Sequence, residues 1–560
     1  MKKKWISLVL TLVTATALFT GCGKEDTGND GLDSNADTSV DTGEESGQNA
    51  TKPEIAPYAY EDEINIIDDQ YRNYYEIFVY SFFDEDGDGI GDLQGVIDKL
   101  DYVADMGFNG IWLMPIMKST TYHKYDVVDY YAIDREYGTM EDLQELIDAC
   151  HDRGIKLILD LMLNHTSSQH EWFTTAYEYL KNLPEGQDAN AEECPYVDYY
   201  HFEKLEGKKK SGYHPVGDSE WSYEGVFRSE MPDLNLDNEA VRKEFEAIAA
   251  FYLDMGIDGF RLDAAREFFS GNAGKNTEVL SWFSDYVTGY KEGAYLVGEV
   301  WENFTTIQLY YESGMTSFFD FPMSQHNGKV ASILKGQSEA SSWGTTLESI
   351  HAEYSVKNPD YIAAPFLSNH DTGRWANTMV NNEDHIKYGA GLLLSMTGNP
   401  FVYYGEEIGM PSSGSKDENK RLPMIWTYET NRGKTQGPKN ADSGIDYKFA
   451  DVQTQMEDEL SILNYYKRAV RIRNENPEIA RGIVSSYPEY SGATLCVISK
   501  EYDGNVIYVV YNMGEEADTF DVKAAFGDVA ICDYLTVDGS EVTFTDGVLS
   551  LPKYSICYLK

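Results

Sequence analysis

From about Tyr58 onward, short apolar runs rich in aromatic and β-branched residues alternate with longer stretches whose apolar positions recur at helical spacing. The runs EIFVYSFF, GFNGIWLMPI, GIKLILDLMLNH, GIDGFRLDAA, AYLVGEVW, TSFFDFPM, YIAAPFLSNH and NPFVYYGEEIGM read as strands. Between them GDLQGVIDKLDYVADMG, MEDLQELIDACHDRG and NEAVRKEFEAIAAFYLDMG read as helices. Eight such units over about 400 residues predict an α/β fold, a (β/α)8 TIM barrel spanning 58–165 and 236–481. An open doubly wound sheet would want a glycine-rich phosphate loop after the first strand, and DEDGDGIGD is too acidic to cradle phosphate. The mixed signals between NHTSS and MPDLN are too long for a structureless loop, so an inserted subdomain is expected at 166–235, after the third strand. A helix within MEDELSILNYYKRAVRIRNENP closes the barrel. Short strands and turns from Gly482 predict an all-β sandwich over 482–560.

The N-terminal segment changes the picture of where the protein works. Residues 1–22 carry a lysine cluster, an apolar run too short for a comfortable span, and a small-residue site before Cys22. LFTGC resembles the lipobox of bacterial lipoproteins, with Phe19 where leucine is usual. That implies an exported, lipid-anchored protein at the cell surface or on an outer leaflet. Residues 23–57 are acidic and polar with almost nothing to bury, as expected of a disordered tether.

A net charge of −49 makes nucleic acid a poor partner, and leaves the membrane in reach only through the anchor on Cys22. A count of 42 tyrosines suits a surface that stacks on sugar rings. Beyond Cys22, the cysteines Cys150, Cys194, Cys496, Cys532 and Cys557 form no CxxC, so buried free thiols are expected, with one disulfide among the last three left open.

Barrel enzymes work at the C-terminal ends of their strands. Those ends supply Asp160, Asn164, His165, Arg261, Asp263, Glu299, Asn369, His370 and Asp371. Arg261 and Asp263 leave one strand on the same face, and a guanidinium alongside suits a carboxylate nucleophile. Glu299 sits among Val297, Val300 and Trp301, where desolvation would hold a proton for a leaving group. Two carboxylates in contrasting surroundings, about 5–5.5 Å apart, are what retaining glycoside hydrolysis requires.

DLMLNH, GFRLDAAREF, GEVW and FLSNHD, in this order, resemble the four signature regions of the α-amylase family, glycoside hydrolase family 13. The resemblance covers about residues 58 to 480 and implies an α-glucan substrate such as starch or malto-oligosaccharides. Position by position, it makes Asp263 the nucleophile, Glu299 the acid/base and Asp371 the transition-state stabiliser. Arg261, His165 and His370 then support the subsite holding the distorted sugar, and Tyr125 in HKYDVVDYY matches the family's stacking tyrosine. MPDLN at Met231 resembles a group intermediate between the oligo-1,6-glucosidase and neopullulanase types. Ala264, where 1,6-specific relatives usually carry valine, favours α-1,4 cleavage. Arg266 and Glu267 depart from the usual pattern of lysine and histidine, and RLPMIW at Arg421 is expected to be structural. A neopullulanase, an oligo-1,6-glucosidase and a glucanotransferase are the family alternatives. A monomer is expected.

The loop DEDGDGIGD places Asp84, Asp86, Asp88, the Ile90 carbonyl and Asp92 at alternate positions of an EF-hand-like ring, but Gly95 stands where the closing glutamate belongs. Similar loops in oligo-1,6-glucosidase-like relatives hold calcium. The resemblance therefore implies that these five residues hold a structural Ca2+ behind the first strand.

Overall fold

A computed structural model describes residues 69–205 and 208–560; the signal segment, Cys22 and the acidic tether lie outside the described residues. Seven parallel strands form one sheet, and all are buried along their length except at Lys156, the first residue of the third, as strands covered on both faces must be. In chain order they are Tyr74–Ile77, Gly110–Leu113, Lys156–Leu161, Gly259–Leu262, Tyr295–Gly298, Ser317–Phe318 and Phe401–Tyr403. The first pairs with both the second and the last, with Tyr75 opposite Ile111 and Val402.

The expected seventh strand, YIAAPFLSNH, makes only isolated bridges, Phe319 to Ala364 and Phe366 to Phe401. These bridges still close the barrel between Ser317–Phe318 and Phe401–Tyr403. Pro365 explains the interruption, because it has no N–H to donate to a ladder. The segment is held instead by single bonds to either side, such as Asp320 N–H to the Ala364 carbonyl at 3.0 Å and Phe401 N–H to the Pro365 carbonyl at 2.9 Å.

The first strand also differs from expectation. EIFVYSFF leaves the sheet after Ile77 and turns through Val79–Ser81, with Ser81 N–H bonded to the Phe78 carbonyl. Packing decides this turn: Phe82 and Phe83 set their edges against Trp426, whose indole N–H donates to the Phe82 carbonyl at 2.7 Å. The predicted helix at 91–107 is likewise two short helices, Leu93–Asp98 and Leu100–Asp105, meeting at the non-helical Lys99. Helices with strong end signals run as read. Met140–Asp152 starts in a capping box at Thr139 and Asp142, and Glu239–Met255 runs from an Asn238 cap to Gly256 at φ 116°.

Aromatic rings plug the barrel. Tyr74 stacks on Phe401 at 4.6 Å and on Tyr295 at 5.2 Å, and Trp112, Phe319 and Phe366 complete the plug. It forms the floor of the site: the Trp112 ring lies 5.6 Å from that of His370 and 5.1 Å from the Arg261 guanidinium carbon.

After the third strand the chain builds helix Glu171–Asn182 and a three-stranded antiparallel sheet of Phe202–Lys204, Trp221–Glu224 and Tyr213–Pro215. A bridge from His165 to Asp233 staples this insertion to the barrel rim, and one from Tyr200 to Leu234 closes it on itself. The C-terminal residues form a five-stranded and a three-stranded antiparallel sheet around Val497, Val510, Phe520, Leu549 and Leu559. Buried Lys500 joins this sandwich to the barrel by donating to the Ser395 and Ile479 carbonyls at 2.6 and 2.7 Å. All five described cysteines are free; the expectation of burial fails for Cys532, which is exposed because it sits at a bulge of an outer strand.

Candidate active site

One arginine organises the strand ends. Register places Arg261 beside Asp160 on the third strand and Val297 on the fifth. Its Nη1 lies 2.7 Å from Asp160 Oδ1 and 2.7 Å from Asp263 Oδ1, and its Nη2 lies 3.0 Å from Glu299 Oε2. The sequence pairs Arg261 with Asp263 alone; the folded strands give it three carboxylates. A buried guanidinium needs partners that replace its lost water, and here three acids supply them, so the cluster is mutually dependent.

Glu299 receives a second bond, 2.9 Å, from the N–H of Ala264. Ala264 adopts φ 49°, a left-handed conformation costly for a residue with a Cβ, and this aims its amide at the carboxylate. Burial pushes the Glu299 carboxyl up, Arg261 works against that, and the Asp263 and Asp371 charges add to it. The carboxyl therefore retains its proton to a higher pH than an ordinary glutamate.

Asp371 stands in the opposite surroundings. Its Oδ2 lies 3.0 Å from His370 Nε2 and its Oδ1 2.9 Å from Arg421 Nη2. Burial opposes its charge, yet His370, Arg421 and Arg261 hold it well below the usual carboxylate range. His370 is pinned on both ring nitrogens, with Nδ1 2.6 Å from Glu76 Oε1. Burial disfavours its charged form, but Asp371 and Glu76 together raise it to about 9, so it is an imidazolium at neutral pH. Tyr125 accepts from His370 Nε2 at 2.7 Å, donates to Asp160 Oδ2 at 3.0 Å, and stacks on the His370 ring at 5.5 Å. His165, driven neutral by burial, donates from Nε2 to the Tyr125 carbonyl at 3.2 Å.

Asp263, Glu299, Asp371, Tyr125, His165 and Arg421 line one cleft of about 380 Å³, with Phe227 and Trp301 at its edges. Phe227 and Trp301 are 46% and 44% exposed, enough to offer ring faces to a sugar. A roomier groove of about 780 Å³ runs past Lys99, Trp426 and Met456 but contains none of the three central acids, so volume does not identify the site.

Two members escaped the sequence reading. Arg421, expected to be structural, also donates to the Tyr122 hydroxyl at 3.1 Å and to the His370 carbonyl at 3.3 Å, and so belongs to the cleft. Its signal was obscured because it lies on no strand end but in a loop after the last strand. Glu76 lies within the first strand; a lone carboxylate in a wholly buried aromatic strand was the available clue.

The acidic loop stands apart from this cleft. Side-chain oxygens of Asp84, Asp86 and Asp88 lie within 4.8 Å of one another, with Asp84 buried and the other two exposed. Three carboxylates so placed fit a hard cation. Asp92 is outside that cluster: one oxygen caps helix Leu93–Asp98 through the Gly95 N–H at 2.6 Å, and the other accepts from Glu85 at 2.9 Å. Ile90 donates its N–H to Asp88 Oδ1 at 2.8 Å. A later segment straps the loop, with Asp84 N–H to the Gly433 carbonyl at 3.2 Å and Gln436 N–H to the Gly89 carbonyl at 2.8 Å.

Comparison with known proteins places this geometry. The family described as "Alpha amylase, catalytic domain" matches residues 76–482. The chain is 38% identical over 463 residues to alpha-amylase 3 of Dictyoglomus thermophilum, covering 80% of this chain and 86% of that protein. It is 32% identical over 411 residues to a 4-alpha-glucanotransferase of Thermotoga maritima, covering 73% and 88%. The solved structure of Eubacterium rectale Amy13B superposes with a TM-score of 0.86 at 42% identity, covering 89% of this chain and 96% of that one.

Proposed function

From the premise that this chain belongs to the α-amylase family, glycoside hydrolase family 13, and is an enzyme acting on glucans, we propose that it is a retaining α-amylase. It cleaves internal α-1,4 bonds of starch and malto-oligosaccharides. The observation that carries this reading is the set of three acids in one cleft, each in different surroundings: Asp263 on Arg261, Glu299 raised by burial, and Asp371 held ionised between His370 and Arg421.

Asp263 attacks the anomeric carbon while Glu299 gives its proton to the departing glycosidic oxygen, leaving a glycosyl ester on Asp263. Glu299, now a carboxylate, takes a proton from water, whose oxygen displaces Asp263 and restores the α configuration. Asp371, kept anionic, stabilises positive charge at the ring in both transition states. His165 and Tyr125, on the cleft wall, orient the sugar, with Tyr125 as its stacking ring, and His370, buried beneath them, holds Tyr125 and Asp371 in place. Ala264, small and at the cleft wall, leaves room for an α-1,4-linked chain.

The same reading includes a structural Ca2+ held by Asp84, Asp86 and Asp88, with the Ile90 carbonyl as a further ligand and Asp92 closing the loop behind them. The ion would supply positive charge to a loop that has none. It also includes export, anchoring through an acylated Cys22, and action as a monomer on polymeric glucan outside the cell. The deciding experiment is a product time course on amylose and pullulan with NMR of the first-formed anomer. Mixed oligosaccharides of α configuration are expected. Glucose released only from chain ends would overturn the endo reading, and mainly lengthened oligosaccharides would assign the chain to glucan transfer.

A further inference from the structure

The residues that depart from the family pattern, Arg266 and Glu267, lie three and four positions after Asp263, on the loop that follows it. Glu302 lies three positions after Glu299, on the neighbouring loop. Arg266 bridges the two: its Nε lies 2.9 Å from Glu302 Oε1, and its Nη1 lies 2.5 Å from Glu267 Oε1. Ser270 completes the network by donating to Glu267 Oε2 at 2.6 Å.

Three observations separate this network from an ordinary surface pair. The Arg266 carbonyl is gripped by Nδ2 of the wholly buried Asn276, which also accepts from the Phe269 N–H at 2.8 Å, so the loop presenting the guanidinium is fixed. Glu267 N–H bonds the Ala264 carbonyl at 2.8 Å, which closes the turn that holds Ala264 in its strained conformation. The Ala264 amide is in turn the donor to Glu299. The two loops are thus crossed twice, once by Ala264 to Glu299 at the floor and once by Arg266 to Glu302 at the rim. Between these crossings sits Trp301, stacked on Phe321 at 4.8 Å and facing the cleft.

We propose that Arg266 and Glu302 form a positioning clip that sets the spacing between Asp263 and Glu299 and fixes Trp301 against the departing part of the glucan. The proposal rests on the catalytic roles assigned above. Neither residue lines the cleft, so the clip acts through the groups it holds. A displacement of about 1 Å between reacting groups can cost a hundred-fold in rate, so a modest ion pair can have a catalytic effect larger than its effect on stability.

The test compares Arg266→Met, Glu302→Gln, the double variant and Arg266→Lys on maltoheptaose, with Glu299→Gln as reference. Each single variant is expected to lower kcat about ten-fold with KM changed less than about two-fold. The double variant should lose no more than either single one, Arg266→Lys should recover most of the rate, and the thermal midpoint should stay within about 2 °C of the parent. Unchanged kcat in both single variants, or losses that multiply in the double, would overturn the clip. If Arg266→Met unfolds, Glu302→Gln and its pairing with Arg266→Lys still decide the question. A parent chain folded but inert on maltoheptaose, or a Glu299→Gln variant as fast as the parent, would instead overturn the catalytic reading, and the clip with it.

Discussion

Two acid-rich regions lie at the C-terminal rim of the barrel, and they balance their charge in different ways. In the cleft, Asp160, Asp263 and Glu299 share Arg261, while Glu76 and Asp371 flank His370 and Arg421 backs Asp371. In the loop at Asp84–Asp92, the carboxylates are met among the described residues by backbone amides: Gly87 and Gly89 on Asp84, Asp88 on Asp86, Ile90 on Asp88, and Glu85 and Gly95 on Asp92. Amides orient a carboxylate without cancelling its charge. A cluster threaded by its own cations is equipped for chemistry without help, whereas one dressed only by amides is equipped to hold a cation from solution.

The contrast can be broken from either side. The largest effect is expected from Glu299→Gln, which keeps the Arg261 contact but removes the proton to be given away. Hydrolysis of maltoheptaose should fall about a hundred- to ten-thousand-fold while an aryl glycoside with a good leaving group falls far less. Arg421→Met makes the cleft resemble the loop by withdrawing one cation from Asp371. We expect kcat about ten- to a hundred-fold lower, with steady-state kinetics as the check. In the loop, chelation or Asp84→Asn should lower the thermal midpoint by about 5 °C, and added calcium should restore the chelated parent but not the variant. A chelator without effect on the parent would remove the cation from the comparison.

The smallest effect concerns pH. His370 is raised from 6.5 to about 9 in the folded chain, so its charged form stabilises the fold fully below pH 6.5, and that contribution is lost as pH rises through 9. Denaturant titrations at pH 6, 7.5 and 9 should show stability falling across this window. Glu76→Gln should make the decline shallower, since one of the two acids that hold the proton is gone. A slope identical to the parent's would show that Asp371 alone sustains the imidazolium.

Most of the site was legible because catalytic residues of a barrel follow their strands closely, and the runs ending at Asp160, Asp263, Glu299 and Asp371 carried both the pattern and the polar ends. What was hidden depended on contacts between distant segments. Arg261 reaching Glu299 follows from strand register, which single runs do not reveal. Arg421 enters from a loop 50 residues beyond Asp371. The early end of the first strand was hidden because Phe82 and Phe83 suit a strand equally well and only Trp426, far along the chain, draws them away. The strained turn at Ala264 has no sequence signature, since nothing about alanine announces a left-handed backbone.

The wall interrupted by Pro365 has a consequence for motion. It is the one whose end carries His370 and Asp371, and it lacks the continuous ladder that the neighbouring walls possess. Amide protons of residues 362–364, 366 and 367 should therefore exchange with solvent through smaller, more frequent openings than those of Lys156–Leu161 or Gly259–Leu262. Asp263 would then ride on a stiff support and Asp371 on a compliant one, so that of the two carboxylates only the second could shift with a bound ring.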